Sequence, residues 1–259
     1  MDNVAAFLRY LNSEKNYSAH TVRAYSKDIE GFAMHCSDAY SLHNLSKVHY
    51  PMLRDYIIVL SKRGLTMRSI NRKCSALKSL YAYFQKIGII EVHPFAQHKA
   101  VKAKKAFITP FSVAELNTVL EQIDRSDFAG LRDATAIELL YGTGIRQAEL
   151  IGLKTSDIDW AQGQMRVLGK RNKERLIPII PALATTLKHY VTQRKNWPGT
   201  SVHSFLLVTN KGNKTYPAFV YRLIKTYFRS VSNKISTSPH VLRHSFATHM
   251  LDAGADINV

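Results

Sequence analysis

Through roughly the first hundred residues the apolar side chains recur at helical spacing, and no stretch alternates as a strand would. Val4, Phe7, Leu8 and Leu11 follow the i, i+3, i+4, i+7 rule. Ser18 is placed to cap a second helix with Val22, Tyr25, Ile29, Phe32 and Ala33 on its inner face. Leu53, Tyr56, Ile57 and Leu60 mark a third, stopped by Gly64. Thr66 opens a fourth through Ile70, Leu77, Leu80, Tyr81 and Phe84, with Gly88 as its stop. Amphipathic helices with short connections close into a bundle, so residues 1–97 are expected to form a helical domain.

The pattern then breaks. Residues 98–105 read HKAVKAKK, and 98–108 is expected to be a basic interdomain linker, lying along a phosphate backbone or simply solvated. A second domain, 109–259, opens on the capping box Ser112 and Glu115 ahead of Leu116, Val119, Leu120 and Ile123. A helix follows through Ala134, Ile137, Leu140 and Tyr141. The period then changes: two short apolar runs at 165–168 and 176–179 flank the polar turn GKRNKE, which predicts a hairpin, and the Phe205 run predicts a third strand. Helices resume at about 181–195, 217–231 and 239–251, and the chain stops at Val259 after a fresh helix signal.

Charge narrows the partners. Lys plus Arg total 36 against 19 Asp plus Glu, a net of +17. Residues 1–105 hold +10 of this and residues 106–259 hold +7, so a polyanion touching only one tail is not expected. No run of about 18 apolar residues is present to span a membrane. No basic stretch followed by an apolar core opens the chain, so no secretion signal is read there. Cys36 and Cys74 are too few for a disulfide framework, and a reducing cytoplasmic setting is the expectation.

Three basic clusters in the second half are candidates for chemistry. Thr143-Gly-Ile-Arg146 leads into a helix start, where backbone N–H groups and an arginine suit an anion. Lys170 falls in the hairpin turn with Lys173 and Arg175, where it can reach a phosphate, donate a proton or simply be solvated. His240 and Arg243 are three apart, which puts them on one face of a helix opened by Pro239. His240 and His244 have zinc-pair spacing, but H-E-x-x-H is absent and no acidic third ligand follows, so no metal is assigned. His244 and His249 read as core-packing or capping residues.

Together the clusters are more specific than any one of them. S-x-x-T-x-x-x-Y at 18–25, RSINR at 68–72, LLYGTGIRQAELIGL at 139–153, GKRNKERLIPI at 169–179 and PHVLRHSFATHMLDAGADI at 239–257 occur in the order found in the phage-integrase family. The chain resembles these tyrosine site-specific recombinases over its whole length, most closely the Xer branch. The resemblance implies a mainly α protein: a SAM-like four-helix core-binding domain and a mostly helical catalytic domain with a small antiparallel sheet, clamped around double-stranded DNA. It implies no cofactor and a nucleoid-associated location. It also implies that Arg146 and Arg243 stabilise the pentavalent phosphate, Lys170 protonates the leaving 5′-oxygen and His240 assists proton transfer. Two arginines supply the charge that a metal would otherwise bring.

The chain departs from the family's pattern in one respect. A G-H segment and the nucleophilic tyrosine should follow the H-x-x-R helix, and no tyrosine follows it here; Tyr190, Tyr216, Tyr221 and Tyr227 all precede it. The expectation is a recombinase whose nucleophile-bearing segment is missing, inactive in cleavage as it stands and weakened in the tetramer that the family assembles on DNA. The alternative is a non-catalytic DNA-binding remnant or a regulator occupying recombination sites. Thr21, Arg23, Arg68, Arg72, Lys73 and Lys78 are expected on the DNA-facing side of the N-terminal bundle. Target site and role, whether dimer resolution, transposition or inversion, are left open.

Overall fold

The computed structural model describes residues 2–96, 98–100, 102, 108–169, 173–198, 204–232, 234 and 237–256. They fall into two compact units, 1–105 and 106–259.

The first unit holds the helices α1 (Asp2–Ser13), α2 (Ala19–Tyr40), α3 (Tyr50–Lys62) and α4 (Met67–Lys86). Ser18 and Thr66 cap α2 and α4, their hydroxyls accepting from the backbone N–H of Thr21 and Ser69 at 3.2 and 3.3 Å. Gly64 and Gly88 end the following turns with positive φ, as their type predicts. Phe7, Leu11, Ile29, Phe32, Leu53, Tyr56 and Ile70 meet Leu77, Leu80, Tyr81 and Phe84 in one core. Both cysteines are buried there as free thiols, and burial pushes Cys36 up to about 11. Asp28 is also buried, carried on α2 and paired with Arg72 and Lys73 of α4.

The second unit is built around α6 (Phe128–Thr143), a helix buried on almost every side and therefore lacking an amphipathic stripe. Around it stand α5 (Val113–Gln122), α7 (Gln147–Gly152), α8 (Pro181–Lys195), α9 (Pro217–Val231) and α10 (Pro239–Asp252). The Ser112–Glu115 capping box forms as the sequence predicts. A three-stranded antiparallel sheet in the order β1 (Ile158–Asp159), β2 (Gln164–Leu168), β3 (Glu174–Pro178) completes the unit. The β2–β3 hairpin pairs Met165 with Ile177 and Leu168 with Glu174.

The third strand is not where the sequence places it. Phe205 and Val208 make isolated bridges only, to Lys154 and Lys214. The run is buried, but its backbone is satisfied by other groups. Leu206 N–H donates to Leu153 at 2.7 Å, while the Leu206 carbonyl accepts from the Tyr190 hydroxyl and from Arg194 Nε, each at 3.1 Å. An apolar run signals burial without saying which donors will meet it.

Candidate phosphate-binding site

The site of the second unit begins at the end of α6. Gly144 closes that helix in the left-handed region, with φ 59° and ψ 21°, and turns the chain into α7. Arg146 stands immediately before α7, and Glu149 reaches back so that its Oε2 accepts from the Arg146 backbone N–H at 2.8 Å. The same carboxylate accepts from Arg146 Nη1 at 2.7 Å and from both terminal nitrogens of Arg175, at 3.1 and 2.7 Å. Arg243, on α10, donates to the Gly144 carbonyl, so the arginines of two distant motifs are fixed to one turn.

Arg146, His240 and Arg243 line one cavity of about 350 Å³ together with Gln147, Ser238 and Tyr221. His240 is exposed at its rim, while Arg146 keeps 44% of its side chain open to solvent. Three guanidinium groups interact with the single carboxylate of Glu149, which leaves positive charge uncompensated at the mouth. Burial and the nearby Arg146 charge both lower the Arg243 pKa, the signature of a cation held partly out of water against a like charge. An anion entering the cavity relieves that repulsion. The arrangement is therefore suited to a phosphate group, which offers several acceptor oxygens to two forked donors.

Of the sequence-predicted catalytic residues, Arg146, His240 and Arg243 are brought together, and Lys170 lies outside the described residues. The two histidines read from sequence as packing residues differ from one another. His249 Nδ1 lies 2.9 Å from the Tyr141 hydroxyl, whereas His244 is exposed and packs in no core, because it projects from the outer side of α10. Among the described residues no group of three or more His, Cys, Asp or Glu is placed to hold a metal. No helix among them is long and apolar enough to cross a membrane.

Sequence reasoning assigns no role to Glu149, Arg175 or Tyr221. Glu149 carries a local signal, since R-x-x-E has capping-box spacing at a helix start. Arg175 and Tyr221 carry none, because each reaches the site only through tertiary folding. Burial tends to raise the Glu149 pKa, but hydrogen bonds from Arg175 and Arg146 outweigh it and hold the carboxyl at about 2. A folded-state value below the ordinary 4.5 stabilises the fold above that pH, and the contribution is lost as pH falls from 4.5 toward about 2. In acid titrations of melting temperature, the wild-type protein should lose stability across that window more steeply than Glu149→Gln. Parallel curves would mean that the carboxylate is not held by these arginines.

In the first unit the expected DNA-facing residues divide. Arg23 and Arg68 are exposed, and the Thr21 hydroxyl lies 2.9 Å from that of Ser18. Arg72 and Lys73 both bind Asp28, Arg72 with 49% of its side chain exposed and Lys73 with 19%. Lys78 donates to the His98 carbonyl at 3.3 Å and lies over the Phe95 ring.

Comparison with known proteins agrees in both units. Residues 4–86 match the phage integrase N-terminal SAM-like domain, and residues 106–259 match the phage integrase family. The tyrosine recombinase XerC of Chlorobaculum tepidum is 32% identical, aligned over 97% of this chain and 82% of its own length. That of Staphylococcus saprophyticus is 34% identical over 97% and 84%. Two solved structures share the fold. The XerH site-specific recombinase in its post-cleavage complex has TM-score 0.77 and 22% identity, covering 98% of this chain and 75% of that one. The Tn1549 transposon integrase with transposon right-end DNA has TM-score 0.76 and 20% identity, covering 98% and 88%. With both parts matched in order and curated relatives above 30% identity along nearly the whole chain, the protein belongs to the phage integrase family of tyrosine recombinases.

Proposed function

We propose that the protein acts in site-specific recombination of double-stranded DNA, cutting and rejoining strands through a 3′-phosphotyrosine intermediate. Arg146 and Arg243 bind the scissile phosphate and neutralise the charge that builds on it, His240 assists proton transfer, and Lys170 protonates the leaving 5′-oxygen. The convergence of Arg146, His240 and Arg243 on one cavity supports this reading above any other observation. Arg23, Arg68, Arg72 and Lys73 of the N-terminal unit contact the DNA backbone, with Thr21 and Lys78 beside them. Recombination of this kind is an intracellular activity of several subunits on one DNA site.

No tyrosine of this sequence is assigned as the nucleophile, since none follows α10. The Tyr190 hydroxyl is buried on the Leu206 carbonyl, and that of Tyr227 donates to Asp133 at 3.2 Å. Among the described residues Tyr221 is the only tyrosine lining the arginine cavity.

One experiment tests both parts. A duplex site is selected from random sequence by binding to this chain, then nicked to trap any covalent intermediate. The chain should bind it with a steep salt dependence and leave no covalent adduct. Substituting Arg72 and Lys73 together by alanine should lower the slope of log affinity against log salt by about one for each phosphate that the protein ceases to touch. An unchanged slope removes that face from the interface. An adduct that disappears in Tyr221→Phe would make Tyr221 the nucleophile, and failure to bind duplex DNA would end the proposal.

A further inference from the structure

We infer that Arg175 is a positioning residue for the phosphate site: by neutralising Glu149 it leaves the Arg146 guanidinium to the DNA phosphate. The inference rests on the proposed role of Arg146 as a phosphate ligand. It begins with the occupancy of the Glu149 carboxylate. That side chain is only 5% exposed, so its negative charge has little water to lean on. Each oxygen takes two donors: Oε1 accepts from Arg146 Nη1 and Arg175 Nη1, and Oε2 accepts from the Arg146 backbone N–H and Arg175 Nη2. Among the described residues Arg175 thus supplies half of these hydrogen bonds and one of the two guanidinium groups bonded to the carboxylate, Arg243 acting on it only through charge.

Removing Arg175 leaves a buried carboxylate whose only hydrogen-bonded cation among the described residues is Arg146. A buried unpaired charge is strongly unfavourable, so the carboxylate draws its remaining partner inward. Arg146 would then be tied to Glu149 in competition with an incoming phosphate. With Arg175 in place the competition is weak, because the carboxylate is already met by a forked donor.

The place of Arg175 is built into the hairpin. On β3 it is half-buried while its neighbours Glu174 and Leu176 are exposed, as strand alternation requires. Across the turn, Gly169 N–H donates to the Lys173 carbonyl at 2.8 Å and closes the base of the loop. A Cβ at Gly169 would stand 3.2 Å from Arg175 Nη1 and 3.3 Å from that carbonyl, so an added side chain would press on both by a few tenths of an ångström. Hydrogen bonding to Glu149 raises the Arg175 pKa, which keeps the group charged wherever the protein is folded.

A direct phosphate contact by Arg175 is the competing explanation, since 38% of its side chain is exposed. A cycle of variants separates the two. The probe is the selected duplex site compared with the same duplex carrying a neutral methylphosphonate at the phosphate over the cavity; the measured quantity is the preference for the charged form. Arg175→Ala should cut that preference by roughly tenfold, as expected when one partner of a buried charge pair is removed. Adding Glu149→Gln to Arg175→Ala should restore it to within about threefold of wild type, because the neutral amide no longer competes for Arg146. Arg175→Lys should fall between. A merely structural arginine would change melting temperature without changing the preference. A direct contact would lose it with no rescue by Glu149→Gln. Either result overturns the inference. If Arg175→Ala fails to fold, Arg175→Lys and the double variant carry the same comparison. Arg146→Ala should abolish the preference on its own; if it does not, the phosphate role of Arg146 fails, and a normal Arg146→Ala loss beside an unaffected Arg175→Ala sinks the positioning role alone.

Discussion

Alanine at Arg146 or at Arg243, in a chain able to form the covalent adduct, lowers the rate of adduct formation by about 10²–10³ for each. On the proposed roles each guanidinium meets negative charge that exists fully only in the phosphorane, so the loss should appear in the rate of cleavage more than in DNA affinity. The two effects should then not be additive, because both groups would act on one phosphate, and Arg243 is tied to the turn of Arg146 through Gly144. Lys170→Ala should also slow cleavage, for a different reason. A substrate whose leaving group is already acidic needs no proton, and it should recover much of the rate in Lys170→Ala but not in the arginine variants. Single-turnover assays on a nicked substrate read all of this. Equal slowing of Lys170→Ala on both substrates would reduce the lysine to a phosphate ligand.

The second large effect is expected at Gly144, which touches no ligand. Its φ of +59° costs an alanine about 1 kcal/mol or more, and the added Cβ would stand 2.3 Å from Phe246 Cδ1. That is far inside contact distance, so the Phe246 ring, α10 or the turn must move. Gly144→Ala should therefore destabilise by about 2–4 kcal/mol and lower the melting temperature by roughly 5–15 °C. Where α10 moves, Arg243 is carried away from Arg146, and phosphate binding should fall with stability. Gly142→Ala is the control: its Cβ meets only Leu183 at 3.8 Å, and it should be neutral or slightly stabilising in a helix. Equal melting temperatures for the two variants would show that the turn is softer than its geometry implies.

How much of the fold and the site is legible in the sequence follows from the range of each interaction. The helices of the first unit are readable because Ile70, Leu77, Leu80, Tyr81 and Phe84 signal burial within a few turns. The hairpin is readable because its apolar runs flank a polar turn. The buried Asp28 is not, since its partners Arg72 and Lys73 lie 44 and 45 residues away. Those two cations read as free surface charges because the neutralising carboxylate sits on another helix. Arg146, His240 and Arg243 stand out through family motifs; spacing alone yields only a helix-start arginine and a shared helix face. The link from Glu149 to Arg175 spans 26 residues and joins a helix to a strand, a pairing that no periodicity encodes.

The tie between Arg243 and Gly144 has a temporal side as well. It closes a loop of 99 residues, and the nearby bond from the Phe111 N–H to the Ser245 hydroxyl closes one of 134. Contacts of such sequence separation form late, because loop-closure entropy must be overcome first. Val241 and Leu242 of α10 are core residues of the same unit, so the helix that brings the second arginine packs only when contacts across those long loops close. The Arg146–Glu149 pair, only three residues apart, needs no such closure. The second arginine arrives with the packing of α10, so the cavity lined by both arginines is completed late in folding.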